Sequence, residues 1–135
     1  MENFDFPFDE GIELPLLGAL MPEYVFYVLG CAPILFVCID SDDQRYLCSC
    51  CQFGKEWVVS RVPNNVLRAL MKDRLTIRDA FEANNSPTYF ACWNGKQFSV
   101  SRQVPDNALP QKGSFLELGA KTAKYYEKLG KENKI

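Results

Sequence analysis

Asn94-Gly95 stands between two runs of alternating character, Thr88–Trp93 and Lys96–Arg102. That dipeptide in that setting is the strongest short-range hairpin signal, so this part of the chain is committed to an antiparallel pair. A two-residue turn at Asn94-Gly95 sets Ala91 opposite Phe98 and Tyr89 opposite Val100. Tyr89, Ala91, Trp93, Phe98 and Val100 then share one face, which the period of two assigns to a core. Phe90 and Cys92 fall on the other face, opposite Ser99 and Gln97. An aromatic ring on an otherwise polar face is either covered by a further element or presented to a partner.

The preceding segments carry the same kind of signal. Tyr24–Ile39 is an uncharged run of sixteen residues, but Gly30 and Pro33 interrupt it and no basic residue flanks it closely. Two buried strands joined by a turn account for it better than a membrane helix. Ile34–Asp40 is apolar and β-branched, and Ser41–Gln44 is a polar loop. Asp40, Asp42 and Asp43 are arranged partly as in a calcium loop, yet Arg45 occupies the sixth position, where glycine is needed, and Cys51 the twelfth, so a solvated turn is expected. Arg45–Phe53, Gly54-Lys55 and Glu56–Val62 read as a second hairpin, with Trp57 facing Gln52 and Val59 facing Cys50. Trp57, Val59, Cys48 and Cys50 share one face, and Val58, Val62, Leu47 and Cys51 the other. Both faces are apolar, which places this hairpin centrally in a sheet covered on both sides.

Pro63 opens a helical stretch in which Val66, Leu67, Leu70, Met71 and Leu75 recur at helical spacing, leaving Arg68, Lys72 and Asp73 outward. Thr76 followed by Asp79 is a capping-box variant ahead of a short helix through Ala80, Phe81 and Ala83. Within it, Arg78-Asp79 reads as a cap plus a packed or acid-paired arginine, with an anion-binding arginine as the sharper alternative. Beyond the loop Pro105–Pro110, Phe115, Leu118, Thr122, Tyr125 and Leu129 form one stripe of an expected C-terminal helix, and Lys121, Lys124 and Lys128 another.

The chemistry open to the chain is narrow because it contains no histidine. Ser-His-Asp and Cys-His catalysis and Cys₂His₂ zinc are excluded, together with the side chain best suited to proton transfer near neutral pH. Of the six cysteines, Cys48 and Cys51 formally make a C-x-x-C, but three residues apart on a strand they point to opposite faces. No glycine-rich phosphate loop occurs. Residues 1–23 hold six acids and no base, whereas residues 111–135 hold six lysines and three glutamates. The total is a net −2, which with the absence of arginine around the lysine stripe disfavours nucleic acid as a partner. The acidic start also lacks the positive charge of an export signal, so a soluble, cytoplasmic, reducing setting is expected.

Pro33-Ile-Leu-Phe36, Tyr46-Leu47, Trp57-Val-Val-Ser-Arg-Val-Pro63, Leu67, Leu70 and Leu75-Thr-Ile-Arg-Asp-Ala-Phe81 resemble a bacterial family of small uncharacterised domains. Its pattern is a leucine-phenylalanine strand, a tyrosine-leucine strand, a tryptophan strand ending at proline, and a helix like L-x-L-R-D-A-F. The resemblance covers a third to a half of the chain and implies a bacterial or phage origin. It carries over no activity and no catalytic residue.

Taken together, the residues predict an acidic N-terminal arm over 1–23 and a single α+β domain over 24–135. That domain is an antiparallel sheet of five to six strands with an inserted helical pair and a C-terminal helix. The expected function is a non-enzymatic protein-interaction module that regulates or inhibits a larger bacterial or phage protein, with a protein partner or homo-oligomer, no membrane, and no cofactor or metal. The expected surface comprises Phe90 and Cys92 with Phe4, Phe6 and Phe8 of the arm. Two alternatives stay open: a zinc- or thiol-dependent protein using Cys48, Cys50 and Cys51, and a nucleic-acid-binding domain using the lysine helix.

Overall fold

The computed structural model describes residues 6–29, 32–82 and 87–116. Seven antiparallel strands follow one another in chain order: β1 (Ile12–Leu14), β2 (Gly18–Leu29), β3 (Ala32–Ile39), β4 (Arg45–Gln52), β5 (Glu56–Arg61), β6 (Thr88–Trp93) and β7 (Phe98–Ser101). Two short helices, α1 (Asn64–Met71) and α2 (Ile77–Glu82), lie between β5 and β6, and a 3₁₀ turn spans Asp106–Ala108. The sheet curls until β1 approaches β7 and is nearly closed as a barrel.

This corrects the expected α+β domain of five to six strands, because the described residues form mostly one sheet of seven. The expected C-terminal helix lies outside the described residues. The missing strands are β1 and the first half of β2, inside the segment read as an acidic arm, so a boundary at residue 23 would cut through β2. Pro15, Gly18 and Pro22 hide these strands, since proline and glycine normally mark breaks. The ladder accommodates Pro22 through a bulge: Pro22 pairs with Cys38 and Tyr24 with Val37, leaving Glu23 as an extra residue.

Alternation along the strands divides the apolar side chains between two cores. The concave interior holds Phe8, Leu14, Leu20, Val25, Phe36, Cys38, Tyr46, Cys48, Trp57, Val59, Ala91 and Phe98. The outer face, under the helices, holds Phe26, Leu35, Val37, Leu47, Val58, Leu67, Leu70, Ile77, Phe81 and Leu116. Arg78 of α2 pins the following chain to this layer. Its guanidinium pairs with Asp106 at 2.5 Å and Glu82 at 3.4 Å, and it donates to the Pro110 carbonyl at 3.5 Å. At the start of α2 the Asp79 amide donates to the Thr76 hydroxyl at 3.1 Å, the cap that Thr76 announces.

Both predicted hairpins form, with turns displaced from the expected places. Between β4 and β5 the loop has three residues, Phe53–Lys55, and Cys51 is bulged out, so Trp57 pairs with Cys50 and Val59 with Cys48. Each one-residue slip alone would exchange the two faces, but two in succession restore them. Trp57 and Val59 therefore still face the interior, while Val58 and Leu47 face the helices. In the last hairpin the turn centres on Gly95-Lys96, and the pairs become Trp93 with Phe98 and Ala91 with Val100. The Asn94 side-chain oxygen accepts from the amides of Lys96 (2.8 Å) and Gln97 (2.9 Å), so Asn94 caps the turn instead of occupying its centre.

Candidate interaction cleft

Of the five positions expected to form a surface, Phe6 and Phe8 pack on the interior core and Phe90 on the outer one. Phe8 is 0 % exposed, with its ring against Phe36, Trp57 and Phe98, and so belongs to the interior core. Phe6 is half-buried against Phe36 at the mouth of the same interior, with ring centroids 5.1 Å apart. Phe90 is half-buried and packs on the outer core, and Cys92 is half-buried opposite Glu56. Phe4 lies outside the described residues, as do Lys121, Lys124 and Lys128.

The C-x-x-C cysteines likewise do not converge. Cys48 is buried in the interior core and Cys51 packs against the outer one, on the opposite side of the sheet. Among the described residues no group of three or more cysteine, aspartate or glutamate side chains is placed to share a metal ion. Burial, reinforced by the nearby Glu56 carboxylate, pushes the Cys51 thiol up to about 12, and burial also raises Cys50 and Cys92. Protonated thiols are poor nucleophiles and poor ligands. In the β3–β4 turn Asp40 accepts from the amides of Asp42 and Gln44, both at 2.9 Å, and from the Tyr46 hydroxyl at 3.0 Å. Partial burial works against its charge, but these hydrogen bonds and Arg61 hold the carboxyl below its usual range. This aspartate is occupied in shaping its own turn.

The structure instead opens a cleft of about 430 Å³ between α1 and the outer face of the sheet. Tyr24 and Phe26 of β2, Val37 of β3, and Leu67 and Met71 of α1 provide its apolar walls, with Arg45, Asn64 and Arg68 among the lining residues. Helical geometry explains the α1 contribution, because positions 64, 67, 68 and 71 fall on one side of the helix. Leu67 and Leu70 anchor that helix in the outer core.

One side chain sets the separation of helix and sheet. Arg45 on β4 makes a two-pronged ion pair with Glu23, Nε to Oε1 at 2.6 Å and Nη2 to Oε2 at 2.9 Å. Its remaining Nη1 donates to the Asn64 side-chain oxygen at 3.2 Å. Glu23 is the bulged residue of β2, and bulges commonly re-aim a side chain in this way. Donating to the Glu23 carboxylate raises the Arg45 pKa further, against a smaller opposing effect of burial. Arg45 is thus a strut joining β2, β4 and the start of α1, with its charge already matched. Arg68 differs. It is exposed, and among the described residues it has no carboxylate partner. Arg68 is thus the charged lining residue of the cleft whose charge is not matched by an ion pair among the described residues.

The arrangement suits an apolar group attached to an anion: the walls bury the former and Arg68 meets the latter. Helical spacing turns Arg68 outward, as expected, whereas the only trace of the cleft in the sequence is the 64, 67, 68, 71 spacing on α1. Among the described residues no helix is long and apolar enough to cross a membrane. Comparison with family models, curated proteins and solved structures finds no match to this chain.

Proposed function

We propose that this chain is a non-enzymatic protein-interaction module whose α1 cleft receives an apolar side chain flanked by a carboxylate, by which it regulates or inhibits a larger protein. The observation that carries the reading is the pairing of an apolar cleft with Arg68, an arginine without an ion-pair partner among the described residues. Arginine and large apolar side chains are the usual dominant contacts of protein interfaces. The chain's lack of histidine and the raised thiols support a binding role over a catalytic one.

Anilinonaphthalene sulfonate, a fused aromatic bearing one anionic group, is a suitable probe. Folded protein is expected to bind it saturably at one site per chain. Arg68→Ala should weaken binding about tenfold at low salt, corresponding to about 1.4 kcal/mol, and Met71→Glu should abolish it, with near-UV circular dichroism unchanged in both. Equal binding by all three proteins would overturn the reading.

A further inference from the structure

The turn joining β1 to β2 is built against its own chemistry. The Leu17 amide donates to the Leu14 carbonyl at 3.2 Å, closing a four-residue turn with Pro15 and Leu16 at its centre. Proline first and a positive φ second define a type II turn, whose second central position calls for glycine. Leucine stands there instead, at φ +71°. A bulky side chain in that conformation is an outlier, and backbone outliers that persist are clues to function. Leu16 is also 68 % exposed, the most exposed large apolar side chain among the described residues. The turn therefore holds an apolar knob out into solvent.

Beside the knob lies a recess of about 190 Å³ lined by Leu16 and Leu17, Tyr46, Arg61, Pro87 and Tyr89. For scale, a cavity of about 150 Å³ accepts benzene. Arg102 sits over the Tyr89 ring, 5.8 Å from its centroid, and stiffens that wall. Knob and recess occupy one patch of surface, so the patch is complementary to itself, as a two-fold contact demands. Charge agrees with this. Arg61 donates to the Gln44 side chain, acts on Asp40 without a direct ion pair, and stands beside a β3–β4 turn that exposes Asp42 and Asp43. A two-fold copy would bring each sign of charge towards the other.

We propose that the chain forms a two-fold dimer in which Leu16 of each copy enters the recess of the other. This surface is separate from the α1 cleft and does not depend on its role. Sedimentation equilibrium of the full chain tests it, with Leu16→Gly and Leu16→Asn as variants, since both replacements tolerate positive φ and preserve the turn. The wild type is expected to show a concentration-dependent monomer–dimer equilibrium. Both variants should be monomeric over the same range, their dissociation constants raised at least tenfold. In the same proteins at dilutions where all are monomeric, Leu16→Gly should melt a few degrees higher, because the strain is relieved. A wild type that stays monomeric contradicts the proposal. Dimers that survive in both variants contradict the placement of Leu16 in the contact.

Discussion

Replacing Phe8 by alanine is expected to cost about 3–5 kcal/mol of folding free energy. The Phe8 ring is wholly buried, and its centroid lies 5.2 Å from that of Phe36 and 5.4 Å from those of Trp57 and Phe98. Those partners belong to β3, β5 and β7, so one side chain bridges alternate strands across the concave interior. The ladder order ends at β7 without a pairing back to β1, which leaves the interior dependent on side chains to fill it. A cavity there would lie where three other rings meet and could not collapse without uncurling the sheet. Urea unfolding followed by tryptophan fluorescence measures the loss. A change below about 0.5 kcal/mol, usual for exposed substitutions, would instead describe a peripheral arm.

Gly95→Val is expected to cost about 1–3 kcal/mol, the strain of holding a β-branched residue at positive φ. Gly95 has φ +96°, and a Cβ built there meets no atom within 4 Å. The penalty is therefore one of backbone conformation without steric collision, and Gly95→Ala should show a smaller version of it. Because Gly95 fixes the turn that pairs Trp93 with Phe98, the loss should appear together with weakened protection of β6 and β7 amides from hydrogen exchange. An unchanged melting temperature would mean that the turn adopts a different conformation.

What the sequence disclosed and what it concealed differ in physical kind. The faces of β4–β7 were legible because a period of two survives any even shift of register. Thus Trp57, Val59, Cys48 and Cys50 share one face as their spacing predicts, although the expected partners are displaced by two residues. The turns were less legible because Asn94 can either occupy a turn centre or cap it from outside, and the dipeptide alone does not distinguish these. The β1–β2 hairpin was concealed by Pro15, Gly18 and Pro22 and by the acids around them. Proline in a strand is read as a break unless the bulge that tolerates it is known.

The cleft was concealed for a related reason. Its width rests on Arg45 meeting Glu23 and Asn64, partners separated from it by 22 and 19 positions in the chain. Glu23 reaches Arg45 from a bulge that no alternation pattern announces. Phe6 and Phe8 illustrate the converse error. Aromatics among acids near a terminus look like a docking peptide, yet here the apolar rings pack inward while the neighbouring Glu10 stays exposed.

Amide chemical-shift mapping with two short peptides tests the cleft most directly. Both peptides carry the same central phenylalanine and leucine, one flanked by glutamates and the other by lysines. The acidic peptide is expected to shift the amides of Leu67, Arg68 and Met71 on α1 and of Arg45 on β4, and Arg68→Glu should reverse the preference between the peptides. Equal binding of both peptides, or shifts gathered away from α1 and β4, would contradict the assignment of this cleft as the interaction site.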